Sequence, residues 1–240
     1  MKFDVVWNEL SYIEFIKYLK SLADLKYCEF NKKIVNDNSI KYIGVRTPIL
    51  RKIAKQISKK DYNSFIKINR HEFYEEILLH GFIITYADVD YDILIGMIKK
   101  FIPYMSNWAL VDLFATKFRQ FKNNLDKGFK EINLFTNSDN CWEIRLGLVL
   151  LLKMYINSKY IDKILKISSS IQNQNYYVKM ANAWLISECY IKFKDKTINF
   201  LQAKKLDFWT HNKAIQKIRE SYKVNNTEKH FLNTLKIKNN

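Results

Sequence analysis

The sequence predicts an all-α protein. Two observations lead there. Only five Gly and two Pro occur in 240 residues, too few punctuators for a protein of many short strands and tight turns. Apolar residues recur at helical spacing along almost the whole chain. Hydrophobic residues make up 48% and aromatic residues 15%, enough to build a packed core and to exclude intrinsic disorder.

In chain order, Trp7, Leu10, Ile13, Ile16 and Leu19 read as one face of a first helix, and Tyr42-Ile43-Gly44-Val45 as a loop. Thr47 before Pro48 reads as a helix start: a hydroxyl cap, then a proline where its missing N–H costs nothing. Ile49, Leu50, Ile53 and Ile57 continue that helix. Further stripes run over 72–86, 89–101, 108–118, 142–156, 176–193, 197–206 and 212–222. Polar clusters such as Asn137-Ser138-Asp139-Asn140 separate them. No composition break or Pro-rich linker appears, so residues 1–240 are expected to form a single domain. About a dozen helices joined by short loops suggest antiparallel pairs. Stacked, they would form a HEAT-like or armadillo-like α-solenoid with a concave basic face. A compact helical bundle is the competing architecture.

Several function classes drop out. There is no GxGxxG or GxxxxGK[ST] loop, which excludes nucleotide cofactors of the usual kind. Cys28, Cys141 and Cys189 are widely spaced, and His71, His80, His211 and His230 are scattered, so neither a metal site nor any cofactor is expected. Reduced thiols fit a cytoplasmic protein. Met1-Lys2-Phe3-Asp4 lacks the apolar run of a signal peptide. No stretch is long enough to cross a membrane. A monomer is expected.

The net charge of +16 comes from 40 basic and 24 acidic residues. Residues 1–120 carry 19 basic against 14 acidic groups, net +5. Residues 121–240 carry 21 against 10, net +11. A one-sided basic field is the footprint of a polyanion partner. Of the basic residues 34 are Lys and six are Arg. A/T-rich codons favour Lys, but each Arg in such a chain is a candidate for its planar fork.

Four segments hold candidate chemistry. In Asn107-Trp108-Ala109-Leu110-Val111-Asp112, Trp108 and Asp112 are i and i+4 and share a helix face. A ring beside a carboxylate can hold a cation; the alternative is a core tryptophan beside a solvated acid. Arg145, in Cys141-Trp142-Glu143-Ile144-Arg145, lies one turn into an apolar helix, so it either pairs with an acid such as Glu143 or points at an anion. Trp184 follows Tyr176-Tyr177 at helical spacing, as a core residue would. Lys213 and Lys217 share a face at i, i+4, suited to phosphate contacts or simply to water.

Taken together these segments, with Gly44-Val45-Arg46-Thr47-Pro48, resemble the DNA alkylation repair family of HEAT-like glycosylases, the AlkD type. They occur in the family's order over nearly the whole chain. The resemblance implies an enzyme that removes cationic N3- or N7-alkylated purines from double-stranded DNA, without extruding the base into a pocket. It places the catalytic aspartate at Asp112, the tryptophans of the lesion site at Trp108 and Trp184, and a phosphate-contacting arginine at Arg145. Ser187 departs from the pattern, because the better-known enzymes usually carry another Arg there. A non-catalytic nucleic-acid binder and a protein-interaction scaffold are the other readings.

Overall fold

A computed structural model describes residues 5–116 and 118–238; Met1–Asp4, read above for the lack of a leader, lie outside the described residues. Among the described residues fifteen α-helices follow one another: α1 Glu9–Ser21, α2 Leu25–Val35, α3 Thr47–Ile57, α4 Tyr62–Ile68, α5 Tyr74–Tyr86, α6 Tyr91–Phe101, α7 Trp108–Phe114, α8 Arg119–Asn123, α9 Leu125–Thr136, α10 Cys141–Leu150, α11 Ile161–Ser170, α12 Tyr176–Lys192, α13 Lys194–Gln202, α14 Phe208–Glu220 and α15 Asn226–Thr234. A 3₁₀ turn, Ile102–Tyr104, follows α6, and a π turn, Leu151–Tyr155, follows α10. Among the described residues there is no strand, only an isolated bridge between Lys41 and Phe73. The protein is all-α, as its sequence predicts.

Helix contacts divide the chain into two compact units, Met1–Gln120 and Phe121–Asn240. In each, a helix packs on the next but one: α3 on α5 and α5 on α7 in the first unit, α10 on α12 and α12 on α14 in the second. That is the contact pattern of stacked helix pairs, from which α-solenoids are built. The middle helix of the first stack, α5, is deeply buried, as is α10 in the second, where every residue from Ile144 to Leu150 is buried. In α5 every residue from Tyr74 to Ile84 is buried.

Three local readings need correction. The buried face of α1 is Tyr12, Phe15 and Leu19, while Leu10 is 75% exposed and Ile13 is 40% exposed. Residues spaced strictly by three fall behind the helical turn by about 60° per step, so the proposed stripe winds round the helix. Trp7 precedes the helix and packs edge-on against Phe15 and Phe65. Second, Thr47 is the first helical residue of α3 and not its cap. The N-cap is Arg46, whose side chain has no acceptor to offer the helix N–H groups; its guanidinium forks onto the Asp24 carboxylate at 3.0 and 2.7 Å instead. Third, the stripe 108–118 is helical only to Phe114, where Ala115 turns extended and Arg51 takes the carbonyl of Leu113 at 2.9 Å.

The loop after α2 is fixed by an acid inside the apolar run of α5. Glu75, 1% exposed, accepts from the backbone N–H of Ile43 (2.9 Å), Gly44 (2.7 Å) and Val45 (3.2 Å). Gly44 has φ +96°, where side chains are strained, and an added Cβ would stand 2.7 Å from the Cβ of Cys28. The glycine is therefore required on both counts. Cys28, Cys141 and Cys189 are free thiols.

Candidate nucleic-acid interface and catalytic residues

In the first unit, α7 is placed by its cap. The Asn107 side-chain oxygen accepts from the N–H of Ala109 (3.1 Å) and Leu110 (3.0 Å). Its amide donates to Asp37 at 2.9 Å, and Ser106 Oγ donates to the same oxygen at 3.0 Å. Burial would raise the Asp37 carboxyl, but hydrogen bonds from Ser39, Asn107 and Ser106 outweigh it and leave the group below the usual range. Ala109, Leu110, Val111 and Phe114 are buried, and the helix packs on α5. The opposite face carries Trp108 and Asp112, both half-buried and one turn apart. Arg51 bonds the carbonyl of Leu113 and lies over the Phe82 ring at 4.0 Å. This sets a permanent cation at the last turn of α7, where the helix dipole favours one.

In the second unit, Asn140 caps α10, accepting from the N–H of Trp142 (2.9 Å) and Glu143 (3.3 Å). Arg145, one turn in, is 4% exposed, and its Nη1 donates to the carbonyl of Tyr177 at 2.7 Å. It thus ties α10 to the first turn of α12, and the rings of Trp142 and Tyr177 meet beside it at 5.3 Å. A phosphate contact from Arg145 has only the small accessible part of the side chain to use.

Trp184 is half-buried on α12 and lines an open hollow of about 280 Å³ with Ser187, Glu188, Lys217 and Glu220. The structure therefore brings together Trp184 and Lys217, two residues singled out separately in the sequence. Ser187 is buried, and its Oγ donates back to the carbonyl of Trp184 at 2.7 Å. No positive group stands at that position. Lys213 is absent from this lining; its ammonium donates to Gln216 at 2.8 Å and sits 5.5 Å from the centre of the Trp209 ring, which Lys179 also approaches at 5.4 Å.

Sequence reasoning passed over Arg51 and the pair His71–His80. The rarity of arginine was the available signal for the first. Each of the six arginine side chains bonds another group of the chain: Arg46 on Asp24, Arg51 on Leu113, Arg70 on Glu9, Arg119 on Asp88, Arg145 on Tyr177 and Arg219 on Asn233. The histidines gave no signal, since nine residues separate them. Among the described residues no group of three or more His, Cys, Asp or Glu could hold a metal ion. No described helix is long and apolar enough to cross a membrane.

An all-helical chain of stacked helix pairs, with a tryptophan and a carboxylate one turn apart on a short capped helix, is compatible with an α-solenoid. The family model for DNA alkylation repair enzymes matches residues 15–218, and the chain belongs to that family. No curated protein matches the chain.

Proposed function

We propose that the protein is a DNA glycosylase that excises cationic N3- or N7-alkylated purines from double-stranded DNA. The observation that carries this reading is the Trp108–Asp112 face of α7 in a chain of the DNA alkylation repair family. An alkylated purine already bears positive charge and leaves as a neutral base, so no general acid is needed. The remaining task is to stabilise the cation that develops on the sugar. A preorganised carboxylate at Asp112 does this through its charge and orients the attacking water. The faces of Trp108 and Trp184 favour a cationic sugar or base by roughly 0.5–2 kcal/mol each. Arg145, Lys213 and Lys217 serve the phosphates, within the basic second half.

The test is base release from methylated duplex DNA. Asp112→Asn is nearly isosteric; it removes the charge and replaces one acceptor oxygen by a donor amide. It should bind DNA like the parent and release 7-methylguanine or 3-methyladenine more slowly by on the order of 10²–10³. Equal release by parent and variant, both above the protein-free control, would refute the role of Asp112. Ser187 favours a second reading, a non-catalytic nucleic-acid binder, because the hollow at Trp184 holds one lysine and two glutamates where a further arginine would add charge. Salt-dependent duplex binding without release by the parent would establish it.

A further inference from the structure

A separate cavity of about 470 Å³ opens in the first unit, walled by α4, α5, α6 and the 3₁₀ turn. Its lining contains Lys67 and Lys100 and no carboxylate. Both lysines are exposed, and neither forms an ion pair with a described residue; Asp61, at the start of α4, feels Lys67 only through space. The floor is a pair of imidazoles. His71 Nε2 and His80 Nδ1 are 2.8 Å apart. His80 is 5% exposed, and its other ring nitrogen bonds no described residue.

The pair is held rigidly. His71 has φ +55°, a left-handed conformation costing a non-glycine residue about 1 kcal/mol. It is kept there by three contacts. Its N–H donates to Asn69 Oδ1 at 3.0 Å, its ring stacks on Tyr104 at 3.9 Å and 22°, and the third contact is the bond to His80. Strain that the surroundings over-determine is a mark of a functional wall. Burial holds both rings neutral, His71 at about 4 and His80 at about 3.

A neutral imidazole has one donor and one acceptor. One bond between the rings consumes one of each and leaves one of each for the cavity. Which ring keeps the donor depends on the tautomer, so the pair can offer an N–H to a ligand oxygen without acquiring charge. Two ammonium groups and an imidazole N–H, with no opposing acid, suit an oxyanion with several acceptor oxygens. The remaining lining is Ile66 and Met97, which suit an organic group attached to that anion, together with Asn63 and Tyr104. The volume is that of an ordinary small-ligand site.

We propose that this cavity binds a phosphate monoester, its oxygens on Lys67, Lys100 and an imidazole N–H, its organic group against Ile66 and Met97. The site is independent of the glycosylase reading, whose chemistry neither consumes nor yields such a group. The ester can be a free nucleoside monophosphate or the phosphorylated end of a nucleic-acid strand.

The experiment titrates the full chain with deoxyguanosine 5′-monophosphate, a 5′-phosphorylated tetranucleotide and unphosphorylated deoxyguanosine, following the imidazole nitrogens by NMR. Either ester should shift His71 and His80 and leave His211 and His230 in place; deoxyguanosine should shift none. The double variant Lys67→Gln/Lys100→Gln, altered only at exposed side chains, should weaken binding about a hundredfold, tenfold for each charge-assisted bond lost. A response to the mononucleotide alone identifies a free nucleotide, and a response to the tetranucleotide identifies a strand end. No shift of His71 or His80 with either ester, an equal shift with deoxyguanosine, or undiminished binding in the double variant would overturn the proposal.

Discussion

Acidification from about pH 7.5 to about pH 5 should cost the protein about 4 kcal/mol through His71 and His80 alone. In the unfolded chain both imidazoles titrate near 6.5, whereas in the fold burial lowers His71 to about 4 and His80 to about 3. Between these limits the unfolded chain binds protons that the folded chain refuses. Their contribution is therefore complete above the unfolded value and is lost as pH falls from 6.5 towards 4. Each neutral ring costs about 1.4 kcal/mol per pH unit over that window, hence roughly 2 kcal/mol at pH 5. Against a typical total of about 5–15 kcal/mol this is a large fraction. Glu75 and Glu76 act in the opposite direction, since burial raises both carboxyls and their protonation favours the fold as pH falls. The diagnostic is therefore a difference: urea unfolding of the parent and of His71→Gln/His80→Gln at both pH values. The double variant, though less stable at neutral pH, should lose about 4 kcal/mol less on acidification. Equal losses in the two proteins would refute the argument that the pair is buried and neutral.

Other expectations follow from single contacts. Glu75→Ala strands three buried N–H groups and should cost about 3 kcal/mol or more, while Glu75→Gln keeps one acceptor oxygen and should cost about half as much; losses below about 1 kcal/mol for both, by chemical denaturation, would show that water replaces the carboxylate. Burial pushes the Cys189 thiol up to about 12 and raises those of Cys28 and Cys141, of which Cys141 alone is not fully buried. A thiol reagent at mild alkaline pH should label half-buried Cys141 first, with Cys189 silent until unfolding; rapid native labelling of Cys189, read by mass spectrometry, would contradict this. Arg145→Ala should flatten the slope of log K against log[salt] for duplex binding by about 0.9 if one phosphate contact is lost. It should also destabilise the second unit by freeing the Tyr177 carbonyl. An unchanged slope with lowered stability would assign Arg145 to the scaffold alone.

Fold class was legible because helical periodicity and scarce Gly and Pro are properties of the chain itself. The stripes at 72–86, 89–101, 176–193 and 212–222 fall on α5, α6, α12 and α14 within a few residues. Trp108 and Asp112 share a face because four residues make about one turn. The helices α2, α4, α9, α11 and α15 went unread; in α2, α4 and α15 only one or two residues are buried, too few to mark a stripe.

Sequence alone also determined the basic excess of residues 121–240, the rarity of arginine and the serine at position 187. Only the tertiary structure decided what those residues touch. It turned Arg145 inward to a carbonyl 32 residues away and set Trp184 and Lys217 around one hollow. It gave Glu75 three loop amides more than 29 residues upstream, and it joined two scattered histidines in the lining of a cavity. The physical reason is one of range. Periodicity and capping act over one or two turns and are written locally, whereas burial and hydrogen-bond partners are set by which helices pack together.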